Sequence, residues 1–442
     1  MGIQIPNGAR IVRNIIEGAQ YLHSHILWFY TLAALDYVDP VKALSADIAE
    51  TYALAQAAGT SVSDFGAVAK RLAGFVEGGQ LSIFTNGWFG HPAYAADMPP
   101  ELHLIAVAHY LEALEIQGEA SAIIGIMGGK FPHFMTSVNG GTTFVPTEEK
   151  LDDVLFRLTR VVDFVKNTMI PDTLAIAPFY LDATTYGAGH GNFLSWGVFN
   201  DESFEGNNRY LPAGWVEGGN LAVSDIDVEN VTEYVEHSWY DSPSGLKPAE
   251  GQTSAKFTEY STDDKYSWGK AVRYMDKPAE VGPLARMLVA YLRGVAPVKE
   301  LIDSTLAALG VPGQPEVLLS LLGRVAARNL ETAYVADLTV AQVTELIEAI
   351  KGGDLKLFEP HEVKDGAGHG LWEAPRGSVA HFMGVKGGKI DHYQVVAPTT
   401  WNIAPRDAEG VRGPMEEALI GAPVLDPEKP MEVVRIARSF DP

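Results

Sequence analysis

Apolar positions along the chain recur mostly with a helical period. Over residues 9–36, Ile11, Val12, Ile15, Ile16 and Ala19 share one face and Arg10, Arg13 and Glu17 lie opposite. Pro6 suits the start of this helix, because its missing N–H would go unpaired in a first turn. From Tyr21 to Leu35 the run is apolar nearly all round, which predicts burial on every side, and Asp39-Pro40 closes it. Alanine-rich helical stretches follow to about Glu77, stopped by Gly78-Gly79, and residues 81–91 read as an aromatic loop or strand. Pro99-Pro100 introduces a second long helix over 101–127, with Ile105, Ala108, Leu111, Leu114 and Ala122 as its stripe. Thr147 caps a third, whose first turn carries Glu148 and Glu149 and which is expected to stop at Pro171. Pro315 is expected to open a fourth, with Leu318, Leu322, Val325, Ala326 and Leu330 on one side.

The period changes near the C-terminus. Residues 378–385 and 389–397 alternate, split by Gly387-Gly388, which predicts a β-hairpin with a glycine turn. Residues 175–274 are rich in glycine, asparagine and aromatics in short alternating runs, and read as an irregular α+β region. The fold class expected is α+β, mainly helical: a central bundle from the helices near 9–36, 101–127, 148–170 and 315–335, with peripheral short strands. No repeat, low-complexity tract or interdomain linker appears, so residues 1–442 read as one domain containing the irregular region.

Composition narrows the partners. The chain is 47% hydrophobic and 20% charged, as a folded protein is. Its net charge of −23 argues against a nucleic-acid groove and against a polybasic membrane patch. No uncharged apolar run is long enough to span a bilayer, and the first residues lack a signal-peptide pattern, so any export or membrane attachment is expected to come through a partner. With no cysteine, these residues hold no disulfide, no iron–sulfur cluster and no thiolate-bound metal.

Candidate chemistry is sparse until the C-terminal stretch. His23 and His25 are two apart on a helix, point to different faces and read as core histidines. His109, Glu112, Glu115 and Glu119 form a polar helix face; no Glu-x-x-His recurs on another helix to complete a carboxylate-bridged metal site. Gly187-Ala188-Gly189-His190-Gly191 lacks both the P-loop and the dinucleotide spacing and is a loop. Arg376 differs: it is set between Pro375, which fixes its own φ and keeps Ala374 out of the helical region, and Gly377, so it sits on a defined loop.

The segments Ala374-Pro375-Arg376-Gly377, Val395-Val396-Ala397-Pro398-Thr399-Thr400-Trp401-Asn402, Glu416-Glu417-Ala418-Leu419-Ile420-Gly421 and the closing Phe440-Asp441-Pro442 come in the order found in the large subunit of nickel–iron hydrogenases. Glu280 to Arg286, Gly323 to Arg328, the turn Gly128 to His133 and Tyr21-Leu22-His23-Ser24-His25 also resemble that family. The chain is identified as resembling it throughout its length.

The resemblance implies reversible oxidation of dihydrogen at a nickel–iron centre held by four cysteine thiolates, with carbon monoxide and cyanide on the iron. It implies that the family's cysteine pairs lie upstream of Met1 and directly after Pro442, so that residues 1–442 alone are expected to be inactive. It puts Arg376 beside the open bridging position, Asp441 next to the nickel ligands and within reach of Arg376, and Pro375, Pro398 and Thr399 around the diatomic ligands. Ser24 stands where the family usually has an aspartate near the metals, a departure that removes a negative charge. A magnesium ion is implied, with the backbone carbonyl of Val395 as one ligand, and an iron–sulfur small subunit as electron partner, near the turn Gly128 to His133. Two other readings stay open from the sequence: a metal-free relative like the quinone-site subunit of respiratory complex I, and an assembly or scaffold protein.

Overall fold

The computed structural model describes residues 4–84, 88–201, 208–260, 264–353 and 355–442. Its centre is a set of long helices. Helix α1 spans Asn7–Trp28 and continues through a π-helical turn, Phe29–Ala33, and a 3-10 turn, Ala34–Asp36. Helices α2 (Ile48–Ala58) and α3 (Phe65–Glu77) are each opened by an aspartate, Asp47 and Asp64, whose carboxylate accepts from first-turn N–H groups. Helix α4 (Pro100–Gly128) packs on α1, and α5 (Glu148–Phe164) packs on α4, with Thr147 capping it as its sequence predicts.

Two expected boundaries move. The third helix does not stop at Pro171. A π-helical turn, Val165–Met169, leads into α6 (Ile170–Ile176), where Pro171 falls in a new first turn and its missing N–H costs nothing. Pro315 opens only a 3-10 turn, Pro315–Leu318. After it, Ser320 is extended and its Oγ accepts from Gly323 N at 3.0 Å, so the long helix starts later and runs further. Helices α7 (Pro283–Leu292) and α8 (Ala296–Ala308) precede that long helix, α9 (Leu321–Gly352).

The C-terminal sheet is larger than the hairpin expected. Gly377–Lys386 and Lys389–Val396 pair as the alternation predicts, and a third strand, Gly366–Ala374, pairs antiparallel with Gly377–Lys386 on its other side. That strand was illegible because it starts on glycines at 366, 368 and 370, which carry no apolar alternation. Residues 175–274 hold a 3-10 segment and short strands. The aromatic stretch over 81–91 begins as a 3-10 turn, Leu81–Phe84, and residues 85–87 of it lie outside the described residues. Among the described residues no helix is long and apolar enough to cross a membrane.

Candidate functional site

The first and second strands of the sheet pair up to Ala374 opposite Gly377, which leaves Pro375-Arg376 as a two-residue turn. The segment Val281-Gly282 packs against the back of this turn. Gly282 has φ 116°, and a Cβ there would come within 3.0 Å of the Arg376 carbonyl oxygen. Asn402 fastens Val281 from the far side, accepting from its N–H and donating to its carbonyl, each at 2.9 Å.

Arg286, on α7, fixes the turn from within. Its Nη1 donates to the Ala374 carbonyl at 3.0 Å and its Nη2 to the Pro375 carbonyl at 2.8 Å. The same guanidinium takes Glu331 of α9 bidentately, at 2.6 and 2.7 Å, and Glu373 at 2.9 Å. All three charged side chains are fully buried. Burial alone would raise the Glu331 carboxyl, but Arg286 and His25 hold it down at about 2. Burial prevails at Glu373, whose carboxyl is raised despite Arg286. The Glu373 side chain also accepts from Trp196 N at 2.7 Å and from the Ser378 hydroxyl, while its carbonyl accepts from Tyr21 OH at 2.9 Å.

From Glu331 the chain of contacts runs back to the C-terminus. His25 Nε2 lies 2.9 Å from Glu331 Oε2, and Arg328 Nη1 lies 3.3 Å from His25 Nδ1. An arginine only donates, so Nδ1 accepts and the proton sits on Nε2, which donates to Glu331. Burial pushes the His25 imidazole down to about 4, so this is a hydrogen bond from a neutral ring. Arg328 Nη1 also donates to Asp441 Oδ2 at 3.2 Å. The other oxygen, Asp441 Oδ1, lies 3.1 Å from Arg376 Nη2, and Arg376 Nη1 donates to Ser24 Oγ at a long 3.4 Å.

Three of the residues singled out from sequence are thus brought together: Arg376, Asp441 and Ser24. The Arg376 side chain is 40% exposed, whereas the Asp441 side chain is fully buried. Among the described residues Asp441 Oδ1 has no aligned hydrogen-bond donor, so its contact with Arg376 is one of charge. Pro375 forms the turn itself. Pro398 and Thr399 start a short helix, Pro398–Asn402; with Ala380 opposite Val396, the chain after Val396 returns beside the Arg376 end of the sheet. Both are half-buried, and the Thr399 hydroxyl bonds to none of the other candidates among the described residues. Val395 lies opposite His381 on a strand that pairs on one side only. Beside it, the Gln394 amide donates to Glu233, which also takes Lys270 at 3.1 Å.

His25 proves to be a satisfied core residue, as its sequence suggests. His23 is less so: its ring packs on Phe131 with centroids 4.8 Å apart, and its Nδ1 has no partner among the described residues. His109 faces a neighbour, Asp172, at 2.9 Å, and Glu119 pairs with Arg157 at 2.6 Å; no metal-binding group of three acidic or histidine side chains occurs among the described residues.

Sequence reasoning missed Arg286, Arg328, Glu331 and Glu373. One signal was present: Arg324, Arg328 and Glu331 fall at i, i+4 and i+7 in a largely apolar stretch of α9, one charged stripe that had to be paired inside the protein.

The whole chain, residues 1–442, matches the family described as nickel-dependent hydrogenase. It is 37% identical to the hydrogenase-1 large chain of Escherichia coli (strain K12) and 39% identical to the uptake hydrogenase large subunit of Rhizobium leguminosarum bv. viciae. Each comparison covers 100% of this chain and 81% of the relative. Among solved structures, a NiFeSe hydrogenase from Desulfomicrobium baculatum aligns with TM-score 0.80 at 33% identity, covering all of this chain and 82% of that one. The family match makes this a metal-dependent redox enzyme subunit. The chain belongs to the nickel-dependent hydrogenase family, as a large, catalytic subunit with a nickel–iron centre and a small-subunit partner. That family is one of metal-dependent enzymes, which decides against the metal-free and scaffold readings.

The donor set present is oxygen and nitrogen, with no cysteine at any position. These residues suit the surroundings of a thiolate-held centre and supply none of its ligands.

Proposed function

We propose that Arg376 is the residue of this subunit that meets dihydrogen, oriented by Asp441 and Ser24. The nickel–iron centre, when bound through thiolates that are not among residues 1–442, supplies the two-electron chemistry, with carbon monoxide and cyanide on its iron. A guanidinium carries N–H donors and no acceptor, so it polarises the H–H bond and steadies released charge instead of abstracting a proton. Dihydrogen yields two protons and two electrons. Asp441 Oδ1, buried and 3.1 Å from Arg376 Nη2, holds the guanidinium in place. Pro375 and Pro398 act as apolar walls and Thr399 as a donor toward the diatomic ligands. Val395 offers its carbonyl to magnesium, a cation that takes oxygen ligands. Electrons pass to iron–sulfur clusters in the small subunit, since this chain has no thiolate for a cluster.

The observation that carries this reading is the half-exposed Arg376 held over the buried Asp441 carboxylate, on a turn that Arg286 pins from behind. The test is Arg376→Lys in the full-length two-subunit complex. Lysine keeps the charge and loses the planar fork, so turnover is expected to fall about a hundredfold or more with nickel content unchanged. Loss of nickel along with turnover would show that Arg376 holds the centre and does not act on substrate. Analysis of the same complex for nickel, iron and selenium separates a nickel–iron centre from the selenium-containing type of the solved relatives.

A further inference from the structure

We infer that Arg328 is a positioning residue for this reaction, holding the Asp441 carboxylate and, through it, the Arg376 guanidinium. The inference deepens the function proposed above and rests on it. Arg328 lies on α9 and is buried. A single nitrogen, Nη1, serves both of its partners: Asp441 Oδ2 at 3.2 Å and His25 Nδ1 at 3.3 Å. The two hydrogens of a planar Nη1 diverge by a fixed angle, so the guanidinium plane sets where both acceptors must lie.

That plane is itself fixed. The guanidinium carbon stands 4.4 Å from the centre of the Trp28 ring, and Trp28 Nε1 donates to the Arg438 carbonyl at 2.8 Å. The C-terminal helix, Met431–Ser439, is thereby tied to the same ring that seats Arg328. Arg328 Nε is buried with no partner among the described residues. A side chain placed for its own satisfaction would not leave that N–H unpaired; it is placed so that Nη1 reaches Asp441 and His25.

Asp441 needs such a hold. Its φ is 55°, in the left-handed region that a non-glycine residue keeps only when its surroundings over-determine it. Its backbone N–H is bonded to the Arg438 carbonyl at 2.9 Å, and Arg328 sets the carboxylate. With Oδ2 taken by Arg328, Oδ1 is the oxygen turned to Arg376. On the other side, Arg328 makes His25 Nδ1 an acceptor and so directs the Nε2 proton to Glu331, the residue that carries Arg286 and the turn beneath Arg376. Arg328 thus sets both the partner of Arg376 and the footing of its turn.

The experiment uses the full-length, nickel-loaded complex and compares Arg328→Lys, Asp441→Asn and the double variant. Arg328→Lys is expected to keep nickel and subunit assembly while turnover drops about tenfold to a hundredfold. In the Asp441→Asn background the same change should cost no more than about threefold further, because the two act through one contact. Crystals of Arg328→Lys should show the Arg376 guanidinium displaced from Asp441 over an unmoved turn backbone. Losses that multiply, unchanged turnover, or nickel lost with Arg328→Lys would each overturn the inference. Arg376→Lys is measured alongside: if it retains turnover, the role given to Arg376 fails first, and the failure is separable from one confined to Arg328.

Discussion

Two arginines meet at one turn, and they are treated in opposite ways. Arg286 is fully buried and spends its donors on Glu331, Glu373 and the carbonyls of Ala374 and Pro375, at 2.6 to 3.0 Å. Arg376, on the same turn, is 40% exposed at its side chain and has a charge contact at 3.1 Å and a weak hydrogen bond at 3.4 Å. A buried network with every member satisfied is rigid, and removing one member is costly. A guanidinium left under-satisfied at the rim keeps hydrogens for something that is not protein. The difference separates the part of the site that is built from the part that is offered.

The largest expected effect comes from breaking the satisfied half. Glu331→Ala would leave Arg286 buried beside a single carboxylate and remove the acceptor of His25, and should cost about 3–5 kcal/mol of stability in denaturant titration of the complex. Arg376→Met should cost less, about 1–2 kcal/mol in the same titration, because the Arg376 side chain is 40% exposed and the buried Asp441 carboxylate keeps Arg328. Equal costs would erase the distinction between the two arginines.

Next in size is an acid effect on the same network. His25 has its pKa lowered to about 4 in the folded protein from an ordinary 6.5, mainly by burial, and His103 is lowered to about 4 in the same way. Between those values the unfolded chain binds more protons, so stability rises with pH. The stability is fully present above about pH 6.5 and is lost as pH falls toward 4, on the order of 3 kcal/mol for His25. Melting temperature followed across that window should fall steeply, and His25→Gln should flatten part of the slope. His109 shifts the other way: burial lowers it most, but the charge and hydrogen bond of Asp172, with Glu112 and the Ser61 carbonyl, together raise it, so it favours the folded state at low pH and cannot produce the fall. A slope unchanged in His25→Gln would mean that another group carries the acid sensitivity.

The two halves were not equally legible in the sequence. The rim was readable because its constraints are local: proline before Arg376 and glycine after it define a turn within four residues, and the terminal Asp441 stands in a recognisable motif. The bundle was readable because apolar periodicity and Thr147 capping act within a helix. The buried network was not. Arg286 meets Glu331 across 45 residues of sequence and Glu373 across 87, and no local pattern encodes a pairing at that distance. The misplaced helix boundaries have a similar origin. Pro171 and Pro315 were each read by local rule, while a preceding π-helical turn and a Ser320 cap decided the outcome.

The smallest effects test whether the rim is as loosely held as its geometry says. Tyr21→Phe removes a buried hydroxyl that donates to the Glu373 carbonyl at 2.9 Å, and should cost about 1 kcal/mol, the usual worth of such a bond. Ser24→Ala removes an acceptor that Arg376 reaches only at 3.4 Å, beyond the ordinary range of an N–H···O bond. Arg376 can exchange that contact for water through its exposed face, so no donor is stranded. Stability should change by no more than about 0.5 kcal/mol, while the orientation of Arg376 loses one of its two side-chain holds. A near-silent change in denaturation with a measurable fall in turnover would place Ser24 with the offered half of the site. A loss as large as that of Tyr21→Phe would instead mean that Ser24 supports the folded turn, and that the line between the two arginines lies closer to the surface than their hydrogen bonds indicate.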